Sequence, residues 1–123
     1  MAKTVLIVED DNFLQGLEAK KMTKEGYEVL TSNNGEEALE LFAKNVHIDI
    51  VLLDLMLPGV DGFGVLEKMR EEPKHAKTPV IVFSNLSEEK DIKKANELGI
   101  SEFMVKSNFT LDQLAERVKS LVS

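Results

Sequence analysis

Short apolar runs that do not alternate with polar residues constrain the fold of this chain more than any other feature. Four runs rich in aliphatic and β-branched residues occupy positions 4–8, 27–31, 49–53 and 79–83. Runs of this kind suit strands that are covered on both faces of a sheet. A weaker fifth run at 102–105 predicts another strand, nearer an edge of the sheet.

Helical patterns separate these runs. Gly26 and Gly99 stand where a glycine commonly ends a helix, and Pro73 follows the third helical segment. Apolar residues recur at helical spacing in four segments. They are Phe13, Leu14, Leu17 and Met22; Ala38, Leu39, Leu41 and Phe42; Phe63, Leu66 and Met69; and Ile92, Ala95 and Leu98.

A fifth helix has a complete start pattern. Thr110 is a predicted N-cap, Gln113 completes a capping box, and Phe109 is placed to pack on Leu114. The buried face of this helix is predicted at Leu114, Val118, Leu121 and Val122. Strand and helix thus alternate five times, which predicts an α/β fold: a single doubly wound (βα)5 domain with a five-stranded parallel sheet and helices on both faces. We expect one domain over residues 1–123 and no output domain.

The composition excludes several classes of function. The net charge of −7 repels nucleic-acid phosphates and anionic lipid, so direct nucleic-acid binding is not expected. The chain has no cysteine, which excludes disulfides, thiolate metal sites and a cysteine nucleophile. No apolar run approaches the roughly 20 residues that span a bilayer, and the N-terminus lacks a signal-peptide pattern. We therefore expect a cytoplasmic protein that does not enter a membrane.

Polar side chains of the types that bind ligands or take part in catalysis follow four of the five predicted strands. In strand order they are Glu9, Asp10 and Asp11, then Asp54, Ser84 and Lys106. The carboxyl ends of parallel strands share one edge of the sheet, where such folds bind their ligands. Several carboxylates at one edge repel each other unless a cation holds them, so this pattern predicts a metal site.

The residue types at these ends indicate phosphoryl chemistry. Oxygen ligands without histidine or cysteine favour Mg²⁺, with Mn²⁺ as a substitute. A carboxylate such as Asp54 attacks a phosphoryl group when a metal and a fixed cation neutralise the transferring oxygens. Lys106 supplies the cation and Ser84 a hydroxyl donor.

Structural roles compete with this interpretation. A single Asp after a strand is commonly a helix cap or a turn residue, and for Asp11 capping is favoured over metal binding. Lys106, taken alone, is an ordinary surface lysine. The fourth helix has three alternative caps in Ser84, Asn85 and Ser87. Both histidines, His47 and His75, lack a partner at metal or catalytic spacing and are predicted at the surface.

Four motifs occur in order at the strand ends. They are Val5-Leu-Ile-Val-Glu-Asp-Asp11, Asp49-Ile-Val-Leu-Leu-Asp-Leu-Met-Leu-Pro-Gly-Val-Asp-Gly62, Pro79-Val-Ile-Val-Phe-Ser84 and Val105-Lys106. With these motifs, over essentially its whole length, the chain resembles the response-regulator receiver domain of two-component signalling. The resemblance implies a CheY-like, flavodoxin-type fold.

The resemblance also implies a metal and acceptor site. Asp54 would be the phosphoacceptor, and Asp10 would bind Mg²⁺ directly while Glu9 acts through water. The carboxylate of Asp54 and the backbone carbonyl of Met56 would complete the protein's contribution to the metal. Asp11 falls one position beyond the acidic pair.

Phosphate contact and output follow from the same resemblance. Lys106 would pair with the phosphate, Ser84 would hydrogen-bond it, and Phe103 would be the aromatic switch that turns inward. The chain would take its phosphoryl group from a histidine kinase or a histidine phosphotransfer protein. The fourth helix, fifth strand and fifth helix would then bind a downstream effector protein. Such a module is not an enzyme, promotes only its own phosphorylation and dephosphorylation, and is expected to be a monomer when unphosphorylated.

Three positions depart from the family pattern. Ser107 replaces the usual proline after the lysine, Asn85 replaces a small residue, and Phe103 lacks the hydroxyl of a tyrosine. The family's bond after the lysine is commonly cis, but a cis bond before a non-proline residue costs about 2.5–4 kcal/mol, so the isomer at Lys106–Ser107 stays open.

Two other functions compete with the receiver interpretation, and the sequence lacks the residues that each requires. A phosphohydrolase similar to the haloacid dehalogenase group needs a second Asp two residues after its nucleophile, where this chain has Met56. A nucleotide or flavin module needs a glycine-rich or hydroxyl-rich phosphate loop after the first strand, where this chain has three acids.

Overall fold

Five strands alternate with five helices in the computed structural model, which describes residues 2–123; residue 1 of the predicted domain lies outside the described residues. The strands are β1 (Thr4–Val8), β2 (Glu28–Ser32), β3 (Ile50–Leu53), β4 (Val80–Ser84) and β5 (Glu102–Val105). The helices are α1 (Asn12–Lys24), α2 (Gly35–Ala43), α3 (Gly62–Glu71), α4 (Glu89–Glu97) and α5 (Leu111–Val122). Short 3₁₀ turns occur at Pro73–His75 and Lys106–Asn108.

The strands form one parallel sheet in the order β2-β1-β3-β4-β5. At its carboxyl edge, Val8 lies between Ser32 and Leu53, and Ser84 lies beside Val105. The strand order reverses direction at β1, so the connections after β1 and β3 leave on opposite faces and open a crevice between them. The predicted doubly wound α/β fold is confirmed.

Helices bury both faces of this sheet. On one face α2, α3 and α4 contribute Phe42, Leu66 and Ala95 to a core with Leu6 and other strand residues. On the other face α1 and α5 pack through Met22, Leu114 and Val118 on side chains such as Ile7 and Leu52. Neighbouring residues of one strand therefore enter different cores, which explains why the strand sequences are apolar without alternation. No helix within residues 2–123 is both long enough and apolar enough to cross a bilayer.

The apolar residues that predicted helix α1 do not all lie on its buried face. Phe13 is 78% exposed and Leu17 is 40% exposed, whereas Glu18 and Met22 are buried. Apolar residues are spread around this helix, so their spacing does not single out one side. In α5, Leu114 and Val118 are buried as predicted, but Leu121 is exposed, so its predicted place in the buried face is wrong.

Helix ends follow the predicted chemistry with one exception. The Asp11 side chain accepts a hydrogen bond from the Leu14 amide, and the capping box of Thr110 and Gln113 is complete. Gly26 and Gly99 have φ angles of 94° and 79°, the left-handed conformation that glycine adopts without strain. The exception is α4, whose N-cap is Glu88 and which has no side-chain cap. The prediction that Ser84, Asn85 or Ser87 caps this helix is wrong.

His75 is buried, so its predicted surface position is wrong. The 3₁₀ turn at Pro73–His75 places its ring against Phe42, with the ring centroids 5.1 Å apart. Its Nδ1 lies 3.2 Å from the Thr78 hydroxyl, and burial lowers its pKa. The uncharged ring therefore acts as part of the core. His47 is exposed, as predicted, and lies 3.1 Å from Asp49.

Candidate functional site

The sheet brings the predicted site residues to one edge. Glu9 and Asp10 follow β1, Asp54 follows β3, Ser84 is the last residue of β4, and Lys106 follows β5. These four strands are consecutive in the sheet, so their ends form a continuous row. The backbone fixes the row, because the Asp54 amide donates to the Val8 carbonyl at 3.0 Å.

The Asp54 carboxylate accepts a hydrogen bond on each oxygen. Ser84 Oγ donates to Oδ1 at 2.7 Å, and the Met56 amide donates to the same oxygen at 2.9 Å. Lys106 Nζ donates to Oδ2 at 2.7 Å. Asp54 is only 5% exposed, so these donors replace most of the water that a free carboxylate would bind.

Glu9 is the second buried carboxylate of the site. Its Oε1 lies 2.7 Å from Lys106 Nζ, and its Oε2 accepts a hydrogen bond from the Asp11 amide at 3.2 Å. Burial raises the pKa of Glu9, although the hydrogen bond from Lys106 opposes the rise. Asp54 also raises it, because two negative charges are close together.

Lys106 joins these two carboxylates. Burial alone would lower the pKa of Lys106, but hydrogen bonds to Asp54 and Glu9 outweigh it and the pKa rises. The ammonium group therefore stays charged across the physiological range. This cation neutralises part of the negative charge where a phosphoryl group would approach Asp54.

The acidic residues also form a group with the size of a metal site. One carboxylate oxygen each from Glu9, Asp10 and Asp54 lies within 4.8 Å of the others. Glu9 and Asp54 are buried and Asp10 is exposed, so the group opens to solvent on one side. Three hard oxygen donors with an open side suit Mg²⁺, which keeps several water ligands. Asp11 lies outside this group, since its Oδ1 accepts from the Leu14 amide at 3.1 Å.

Two other predicted residues lie around this group. Met56 is 54% exposed at the rim, where its backbone amide contacts Asp54. Phe103 lies beside Val82 in the sheet and packs, partly buried, against the core under α2, α3 and α4. The bond between Lys106 and Ser107 is trans, since no peptide bond in the described residues is cis.

Sequence reasoning missed two residues that hold the site's loops. The Gln15 side-chain amide lies 3.0 Å from both the Glu9 and the Ser32 carbonyl oxygens, and so ties the ends of β1 and β2 to α1. Glu36 accepts from the Val60 amide at 3.4 Å, which connects α2 to the loop after Asp54. Both are polar residues on helices, and in the sequence they look like ordinary surface residues. Only the contacts in the folded structure show their role.

Comparison with known proteins identifies the family. The model of the response regulator receiver domain matches residues 5–119. The chain belongs to this family. It is thus a receiver domain of two-component systems, and its five-stranded sheet is the CheY-like fold of that family.

Individual relatives agree with this assignment. A probable transcriptional regulator, ycf27, of Cyanidium caldarium is 35% identical over 118 residues, which cover 96% of this receiver domain and 45% of the relative. The chain therefore spans about half the length of the curated relatives that it matches. The solved receiver domain of the Francisella response regulator 1452 is 28% identical with a TM-score of 0.87, covering 98% of this chain and 96% of that one.

A more distant structure shares the fold. The receiver domain of the Pseudomonas aeruginosa sensor histidine kinase PA1611 has a TM-score of 0.88 at 20% identity, covering 99% of this chain and 98% of that chain. That structure holds a magnesium ion coordinated in its active-site cleft.

Proposed function

We propose that this receiver domain accepts a phosphoryl group on Asp54 and signals through a change in its surface. The main support for this proposal is the set of hydrogen-bond donors around the Asp54 carboxylate. Lys106 and Ser84 each lie 2.7 Å from one of its carboxylate oxygens. A carboxylate held between a fixed cation and a hydroxyl is oriented for attack, and the same groups can stabilise the oxygens of a transferring phosphoryl group.

The acidic group is the proposed Mg²⁺ site, which Mn²⁺ can also fill. Asp10 and Asp54 would bind the ion directly, Glu9 would act through a water, and the Met56 carbonyl would complete the protein ligands. Bound Mg²⁺ would supply positive charge to the phosphoryl oxygens. The carboxylate spacing in this chain supports the assignment, as does the magnesium ion in the related PA1611 receiver domain.

Side chains of the protein supply the nucleophile and the hydrogen bonds in the proposed reaction. Lys106 would move part of its hydrogen bonding from Asp54 to the phosphoryl oxygens, and the Ser84 hydroxyl would follow by bonding one of them. Asp54 would attack phosphorus while the donor's leaving group departs on the opposite side. The product is an aspartyl phosphate, and later attack by water releases inorganic phosphate and restores Asp54. We therefore propose a signalling module, not an enzyme, that promotes only its own phosphorylation and dephosphorylation.

The output proposal concerns Ser84 and Phe103. Movement of the Ser84 hydroxyl toward phosphate would leave space beside β4, which the Phe103 ring enters from β5. The surface of α4, β5 and α5 would then bind an effector protein. The proposed phosphoryl donor is a histidine kinase or a histidine phosphotransfer protein. As the family resemblance implies, we propose a cytoplasmic module over the whole of 1–123 that is monomeric before phosphorylation and binds neither nucleic acid nor membrane itself.

Intact mass spectrometry after incubation with acetyl phosphate and Mg²⁺ tests this function. We expect one phosphoryl adduct, stable in acid and labile in base, that does not form when EDTA replaces Mg²⁺. Rapid release of inorganic phosphate in many turnovers without an adduct would favour a phosphohydrolase. No adduct and no turnover would contradict the proposal.

A further inference from the structure

The side-chain amide of Gln15 lies among three oxygen acceptors beside the acidic site. Its Nε2 donates to the Glu9 carbonyl at 3.0 Å, to the Ser32 carbonyl at 3.0 Å and to Asn33 Oδ1 at 2.8 Å. Only the nitrogen of an amide group can face three acceptors, so these contacts fix the orientation of the side chain. Both N–H groups of Gln15 are therefore committed to the ends of β1 and β2.

The Glu9 carbonyl belongs to the peptide that joins Glu9 to Asp10, the two neighbouring acids of the proposed Mg²⁺ site. No backbone amide within residues 2–123 donates to this oxygen, so Gln15 supplies the hydrogen bond that holds the peptide. On the other side of Asp10, the Asp11 side chain caps α1. Asp10 is exposed, so packing restrains its side chain little and the flanking backbone decides where its carboxylate lies.

A chain of hydrogen bonds continues from Gln15 to α2. The Asn33 backbone amide donates to Glu37 Oε1 at 2.7 Å, and the Glu37 amide donates to Asn34 Oδ1 at 2.9 Å in the first turn of α2. β2 supplies none of the proposed site residues, yet this chain holds its end against the end of β1. The position of the loop after β1 therefore depends on α2 as well as on α1.

We propose that Gln15 is a positioning residue for Asp10 and that it sets the Mg²⁺ affinity of the acidic group without contacting the ion. Without its hydrogen bonds the peptide between Glu9 and Asp10 would rotate, and the Asp10 carboxylate would spend less time beside the other two carboxylates. Residues that orient a metal ligand commonly contribute about tenfold or more to metal affinity. Asn33 takes part only through Gln15. The inference rests on the proposed function, because it takes the acidic group as the Mg²⁺ site.

The test measures Mg²⁺ binding by isothermal titration calorimetry in the parent and in two variants of α1. Gln15→Met keeps the length of the side chain but removes the amide donor, and should raise the Mg²⁺ dissociation constant about tenfold. Thr23→Met is the matched control, since it makes an exposed position of the same helix apolar, and it should bind Mg²⁺ as the parent does. Gln15→Ala serves as a second variant if Gln15→Met folds poorly.

Phosphorylation kinetics separate positioning of Asp10 from general damage to the fold. In Gln15→Met, adduct formation from acetyl phosphate should be slow at limiting Mg²⁺. It should return to the parent rate at saturating Mg²⁺, because Asp54 and Lys106 keep their contact. In the metal-free protein, nitrogen-15 relaxation should give the Asp10 amide a lower order parameter in Gln15→Met than in the parent.

Asn33→Ala tests the link to α2. Alone, it should raise the Mg²⁺ dissociation constant by less than Gln15→Met does, since Gln15 keeps its bond to the Glu9 carbonyl. Added to Gln15→Met, it should have almost no further effect, because Asn33 has no other route to Asp10 in this proposal.

Several outcomes would overturn the role of Gln15. They are an unchanged Mg²⁺ affinity in folded Gln15→Met, an Asp10 amide as ordered as in the parent, and a phosphorylation rate that stays low at saturating Mg²⁺. Additive effects of Gln15→Met and Asn33→Ala would show that Asn33 does not act through Gln15. Failure of the proposed function would differ from all of these, because the parent itself would then bind no Mg²⁺ and form no adduct.

Discussion

At the scale of single residues, position decides what a carboxylate does. Glu9, Asp10 and Asp11 are consecutive, yet the first is buried against Lys106, the second is exposed beside Asp54, and the third caps α1. Their chemistry is nearly identical, so the difference arises from the direction in which the chain turns after β1. This separation predicts different consequences for each substitution.

We predict that Asp10→Ala weakens Mg²⁺ binding by at least about tenfold, because it removes an oxygen ligand from the acidic group. Asp11→Ala is the matched control, since its carboxylate contacts the Leu14 amide instead. The control should leave Mg²⁺ affinity nearly unchanged but lower the free energy of unfolding by about 1 kcal/mol through the lost cap. Isothermal titration calorimetry measures the affinities. A larger loss of Mg²⁺ affinity in Asp11→Ala than in Asp10→Ala would show that Asp11, and not Asp10, binds the metal.

At the scale of secondary-structure elements, α5 depends on its first turn. The Thr110 hydroxyl accepts from the Gln113 amide at 3.1 Å, and the Gln113 side chain accepts from the Thr110 amide at 2.8 Å. We predict that Thr110→Ala lowers the free energy of unfolding by about 1 kcal/mol in urea denaturation. Ser120→Ala, at an exposed position of the same helix, should change it by less than about 0.5 kcal/mol. Equal effects of the two substitutions on the free energy of unfolding would show that the Thr110 cap does not stabilise α5.

The coupling between β4 and β5 gives a second prediction for these elements. Ser84 Oγ donates to Asp54 and also accepts from the Leu86 amide at 3.3 Å, so it connects the acceptor to the loop before α4. Ser84→Ala should still accept phosphate on Asp54. Amide chemical-shift changes between residues 87 and 123 on phosphorylation should be less than about half those of the parent. Full-sized changes in a variant confirmed to be phosphorylated would show that the output does not pass through Ser84.

At the scale of the whole molecule, pH should alter stability through Glu18. Its pKa is raised from 4.5 to about 8 in the folded state, so the folded protein holds a proton that the unfolded chain has lost in that range. The free energy of unfolding should therefore fall as pH rises from 4.5 to about 8, by up to about 1.4 kcal/mol per pH unit from this group. The raised pKa of Glu9 acts in the same direction.

Urea denaturation at several pH values tests this dependence. In Glu18→Gln, most of the decrease in the free energy of unfolding with rising pH should disappear. Glu116→Gln, at an exposed position on α5, should show the same pH dependence as the parent. A parent slope that survives unchanged in Glu18→Gln would show that Glu18 ionises normally in the folded protein.

The order of elements and the meeting of the site residues at one edge of the sheet could be predicted from sequence because both follow local rules. Buried parallel strands such as Ile50–Leu53 are apolar on both faces, and parallel strands leave their carboxyl ends at one edge. The buried side of α1 could not be predicted, since Phe13 and Leu17 are as apolar as Met22 and only the tertiary packing selects among them. The burial of Glu18 and His75 could not be predicted either, since both are polar residue types and His75 packs on Phe42, which lies far away in the chain.

The occupancy of the phosphoryl adduct in Asp54→Asn tests most directly whether Asp54 is the phosphoacceptor. The amide of asparagine is a poor nucleophile and carries no charge for the metal, so intact mass after acetyl phosphate and Mg²⁺ should show no phosphoryl adduct. Asp11→Asn, which changes a carboxylate outside the acidic group, should be labelled as fully as the parent. Loss of the adduct in Asp54→Asn alone is the predicted result. Full labelling of Asp54→Asn would contradict the account, because another residue would then carry the phosphoryl group.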